Sequence, residues 1–121
     1  NVQRARTSEA DAGLGTIRTA MRARLAELNT YAGAALPTAS SDGNLGATFA
    51  DLCGRFFSAN NFNFVGTPNA TDFCVQVING TTDGTCPANA PAEADVATLA
   101  RSMDENGTLW QGSCDTGTVL N

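Results

Sequence analysis

Leu14, Ile17, Met21, Leu25 and Leu28 recur at intervals of three and four, so one apolar stripe runs down a helix spanning residues 1 to about 30. Ala10, Ala20 and Tyr31 border the stripe. Gly13 and Gly15 each weaken a helix by about 1 kcal/mol relative to alanine, so two of them in one turn predict a bend or a close backbone approach. The pattern then breaks. Residues 32–46 are rich in Ala, Gly, Ser and Pro and read as loop. Phe49, Leu52, Cys53, Phe56 and Phe57 return to helical spacing and predict a short helix over 46–57. Strands follow at 62–65 and 72–78, the second dominated by β-branched and aromatic residues and closed by the turn pair Asn79-Gly80.

Residues 79–91 form a second loop, pinned by Cys86, and Pro91 opens a short helix over 92–100. Residues 101–110 read as a hairpin turning at Asn106-Gly107, in competition with a helical pattern of Val96, Leu99 and Met103. The expected fold class is α+β, a long N-terminal helix packed on a small antiparallel sheet. One domain covers residues 1–121: helix over 1–30, a helix-to-sheet region over 32–57, and sheet with cysteine-bearing loops over 58–121.

Composition adds a need for staples. Leu, Ile, Val and Phe total only 23 of 121 residues, a thin supply for a core. Cys53, Cys74, Cys86 and Cys114 are even in number and none forms Cys-x-x-Cys, which favours two disulfides over a zinc or redox centre. Buried free thiols are the alternative. Three pairings are possible, and the spacing does not choose among them.

Charge and residue types exclude much chemistry. The chain has no histidine and no lysine, which removes His-based triads, histidine metal ligands, Schiff bases and a Walker lysine. Ser58, Ser102 and Ser113 therefore lack an activating base, and no enzyme and no cofactor is expected. Asp104 and Glu105 are sequence neighbours, which suits a turn rather than a glycosidase pair. A net charge of −5 disfavours nucleic acid as a partner. Asn79, Thr81 and Asp83 before Gly84 read as a solvated turn, since a calcium loop needs more carboxylates. The aromatics read mainly as core, with Phe62 and Phe64 the best exposed ring pair. Three Asn-x-Thr triplets, at Asn69, Asn79 and Asn106, read as turns.

The charge is also divided. Residues 1–30 hold five arginines and three acids, a balance of +2, while residues 31–121 hold two arginines and nine acids, a balance of −7. Arg4, Arg6, Arg18, Arg22 and Arg24 are thus candidates for contacts to the acidic part of another copy.

The run Gly13-Leu14-Gly15-Thr16-Ile17-Arg18-Thr19-Ala20, preceded by Thr7-Ser8-Glu9-Ala10 and closed by Asn29-Thr30-Tyr31, resembles the exposed half of the N-terminal helix of bacterial type IV pilins. Phe73-Cys74-Val75 and the stretch from Arg101 to Leu109 resemble two strands of the pilin head. Three features depart from the family pattern: the apolar membrane half of the helix with its processing site is absent, Arg22-Ala23-Arg24 stands where an aromatic is expected, and the loop between the strands is long. The resemblance implies an apolar membrane half of the helix ahead of Asn1, with its processing site and methylated new N-terminus. It implies a non-catalytic subunit of a surface filament serving adhesion or motility, with other copies as partners and the membrane reached only through that missing half. A periplasmic or inner-membrane pool would precede assembly, and the head without its membrane half would be monomeric. A minor pilin or a secretion pseudopilin, binding DNA, a surface or a secreted protein, fits the same residues. A secreted disulfide domain of another family is a further reading.

Overall fold

The computed structural model describes residues 2–38, 41–54, 57–78, 86 and 100–121. One helix, α1 (Val2–Leu28), runs unbroken through both glycines. Ala10, Leu14, Ile17 and Met21 are fully buried, as the stripe requires, and Leu25 is partly buried against the same core. Gly13 explains itself by contact. A Cβ there would overlap the ring of Phe62, so the glycine lets a strand approach the helix rather than bending it.

Leu28 departs from the expected core face and stands 53 % exposed. The reason lies one residue on. Asn29 takes a φ of 59°, a left-handed conformation that ends the helix, and its N–H donates to the Leu25 carbonyl at 2.7 Å. The chain then turns back, and Tyr31 enters the core in place of Leu28. Its ring meets Phe73 edge-on, with centroids 4.9 Å apart.

Among the described residues five strands form one antiparallel sheet in chain order: β1 (Phe62–Phe64), β2 (Cys74–Ile78), β3 (Ala100–Asp104), β4 (Leu109–Gln111) and β5 (Thr118–Val119). Phe62 pairs with Val77, Phe64 with Val75, and Val75 with Met103. Directly paired residues share a face, so these five side chains form the surface laid on α1. Burying a side chain of this size contributes about 1.5–3 kcal/mol. Ser102 and Trp110 point the other way and are buried too. The expected exposed pair, Phe62 and Phe64, is instead part of the core.

The β3–β4 turn falls where expected. Asp104 Oδ1 accepts the N–H groups of Asn106 at 2.9 Å and Thr108 at 3.0 Å, and Gly107 supplies a φ of 81°. Met103 belongs to β3, so the strand pattern prevails over the helical one there. The expected helix over 92–100, the Asn79-Gly80 turn and the loop over 79–91 lie outside the described residues, apart from Cys86 and Ala100, which opens β3 as a strand residue.

The short helix expected over 46–57 is a correction. Among the described residues of that stretch a single 3-10 turn forms, Ala50–Leu52. Thr48 and Asp51 cap one another, through Thr48 N to Asp51 Oδ2 at 2.8 Å and Asp51 N to Thr48 Oγ1 at 3.3 Å. Cys53 then turns extended and joins Cys86. The second bridge joins Cys74 to Cys114, and no cysteine is free. The bridges close separations of 33 and 40 residues. In the chain-entropy model each contributes about 4 kcal/mol.

Candidate functional site

The five helix arginines do not form one binding face. Arg6 is 2 % exposed, on the core side of α1, so it is not available to a neighbouring copy and leaves the candidate set. Arg18 donates from Nε to the Glu105 carbonyl at 3.3 Å, and its guanidinium lies against Gly107. It ties the middle of α1 to the β3–β4 turn. Arg24 donates from Nη2 to the Ala32 carbonyl at 3.0 Å, holding the chain after the helix. Arg22 is exposed. The side chain of Arg4 lies outside the described residues. The charge division is partly answered within the molecule, because Arg101 on β3 grips Asp11 on α1 with two bonds, at 3.1 and 3.0 Å. Burial nonetheless holds the Asp11 carboxyl above its ordinary value, against the pull of Arg101.

The side of α1 opposite the core has a different character. Ala5, Ser8, Ala12, Thr16, Thr19, Ala23 and Ala26 are all exposed and follow one another at spacings of three and four. They make one stripe of small side chains, nearly antipodal to Leu14, Ile17 and Met21. Thr16 Oγ1 donates to the Ala12 carbonyl and Thr19 Oγ1 to the Gly15 carbonyl, each at 3.0 Å. Both hydroxyls are satisfied within the helix, which leaves methyl groups outward. From Ala5 to Met21, no exposed residue of α1 carries a charge. A solvated helix face normally does. An apolar search finds the inner stripe and passes over this outer one, although its spacing is equally regular in the sequence.

A second feature is a cleft of about 310 Å³ between the β1–β2 loop, the β3–β4 turn and the segment after β4. Asp72, Asp104, Glu105 and Asp115 line it, with the Cys74 and Cys114 side of the sheet alongside. Burial pushes the Glu105 carboxyl up from its ordinary value of 4.5, and the neighbouring carboxyls of Asp72 and Asp104 push the same way. Among the described residues no group of three or more acidic or cysteine side chains is placed to hold a metal ion. The Asn79, Thr81 and Asp83 turn lies outside them. Within the same limits, no helix is long and apolar enough to cross a membrane.

No family model, curated protein or solved structure matches this chain.

Proposed function

We propose that the chain is the outward part of a type IV pilin-like filament subunit, and that α1 is the element through which copies pack. The carrying observation is the uncharged stripe from Ala5 to Ala26 on the side of the helix that the sheet leaves uncovered. Small side chains let two helix backbones approach closely, and close approach multiplies dispersion contacts. Hydroxyls already bonded within the helix lose little when water leaves. A helix with a packed inner face and a smooth outer face has two partners to satisfy, the sheet of its own chain and another copy. Contacts between unlike surfaces of identical subunits build an open fibre when their rotation does not close into a ring. Arg22, exposed at the edge of the stripe, is the helix cation placed to meet an acidic surface on a neighbour. The two disulfides fit an oxidising, extracytoplasmic setting for such a subunit.

The test follows the protein in its native cell. Surface filaments are sheared, pelleted and examined by mass spectrometry and electron microscopy. Recovery of this chain as a major component of the fibres supports the reading. Its absence from the fibres while it accumulates in the envelope would sink it.

A further inference from the structure

Three Asn-x-Thr triplets begin at Asn69, Asn79 and Asn106, and the structure treats the two described ones differently. An amide nitrogen is a poor nucleophile because its lone pair is delocalised into the carbonyl. Donors on the oxygen stabilise the imidate anion that forms as a base removes an N–H proton, and the nitrogen of that anion is nucleophilic. At Asn69 three donors converge on Oδ1: Asp72 N at 2.7 Å, Thr71 N at 2.9 Å and Thr71 Oγ1 at 3.4 Å. The arrangement follows the logic of an oxyanion hole, built within four residues. Asn69, Ala70, Thr71 and Asp72 are all exposed, while Pro68 is buried and the Asn69 N–H donates to the Asp72 carbonyl at 3.0 Å, anchoring the loop. Among the described residues Asn106 has no such set. Its triplet lies in the β3–β4 turn, where the Thr108 N–H goes to Asp104 and Gly107 sits beneath Arg18.

We propose that Asn69 is an acceptor site for N-linked glycosylation, with a polyprenyl-diphosphate-linked oligosaccharide as donor. Asn69 Nδ2 attacks the anomeric carbon of the reducing-end sugar. The new C–N bond forms as the bond from that carbon to the diphosphate oxygen breaks, and the diphosphate leaves with the electron pair. The proton from Nδ2 passes to a carboxylate base of the transferase. No oxidant or reductant takes part. Oxidising compartments, in which the two disulfides form, are also where such transfers reach a folded chain. The site is independent of filament assembly.

The folded, disulfide-bonded chain, in an Asn79→Gln background, is incubated with an oligosaccharyltransferase that accepts Asn-x-Thr without a flanking acid, together with its lipid-linked donor. Site-mapped mass spectrometry reads the product. One glycan on Asn69 and none on Asn106 is expected, and Asn69→Gln abolishes modification. Asp72→Pro keeps the triplet but removes one donor to Oδ1, and lowers the rate by about tenfold, the worth of one hydrogen bond. The same change in an unstructured peptide of residues 66–74 costs less, only what the proline's restriction of Thr71 costs. Circular dichroism verifies that each variant is folded. Preferential modification of Asn106, equal loss in the peptide, or an unmodified Asn69 beside a fully glycosylated control peptide overturns the proposal.

Discussion

The two faces of α1 are equally regular and built to opposite rules. The inner face, Ala10, Leu14, Ile17 and Met21, is fully buried, and its residues are chosen for volume. The outer face, Ala5, Ser8, Ala12, Thr16 and Thr19, is exposed, and its residues share a lack of volume and charge. Folding of this chain explains the first face completely. It asks less of the second, of which Ala12 and Thr16 only border a cleft beside Leu52 and Cys53.

Substitutions separate the two most sharply at matched depth along the helix. Leu14→Ala removes buried volume from the centre of the core and is expected to cost about 2–5 kcal/mol in urea unfolding. Ala12→Leu, half a turn away, is expected to change stability by less than about 0.5 kcal/mol. Equal losses would mean that the outer face also serves the fold.

The next largest effect belongs to the boundary between the faces. Gly13→Ala improves helix propensity by about 1 kcal/mol but drives a methyl into the Phe62 ring. The overlap should dominate, with a net loss of about 1–3 kcal/mol in thermal unfolding. Gly15→Ala, with no atom near its added Cβ, should instead be stabilising by up to about 1 kcal/mol. A gain at both positions would show that α1 stands further from β1 than described.

Much of this was legible in the residues alone. The helix, the strands at β1 and β2, the hairpin turn at Asn106-Gly107 and the four-cysteine framework follow from local period and turn chemistry. Leu28 departs from its expected face because helical spacing predicts which way a residue points and not that Asn29 ends the helix and Tyr31 turns back into the core. The short helix over 46–57 was misread because Thr48 and Asp51 cap each other and Cys53 is drawn off to Cys86, a pairing that local pattern does not carry. Arg6 looked like surface for its charge, yet it is buried on the core side of α1. The outer stripe of small residues was visible in principle. Its signal is the spacing of small residues, which a search for large apolar ones does not weigh.

Electrostatics gives the smaller effects. Asp11→Asn is expected to cost under about 1 kcal/mol, because burial of the carboxylate offsets much of what Arg101 contributes. A double-mutant cycle with Arg101→Gln would check this. The pH dependence is smaller still and has a definite sign. Asp11 and Glu105 both hold protons more tightly in the folded chain than in the unfolded one. Their stabilising contribution is complete below the ordinary carboxylate values of 3.8 and 4.5 and is lost as pH rises through the raised folded values. From these two groups, acidification from neutral pH through that range raises the urea midpoint. Glu105→Gln should flatten the part due to the acidic cleft, and an unchanged slope would remove Glu105 from it.

The most direct test of the proposal that α1 is the contact between copies places charge on its outer face in the protein as its native cell makes it. Ala12→Arg and Thr16→Arg are introduced separately, and filament yield is measured beside the melting temperature of the purified chain. The expected result is loss of filaments with a melting temperature within a few degrees of the unsubstituted chain. Normal filaments from both variants would show that this face is solvated in the assembly and that copies meet elsewhere.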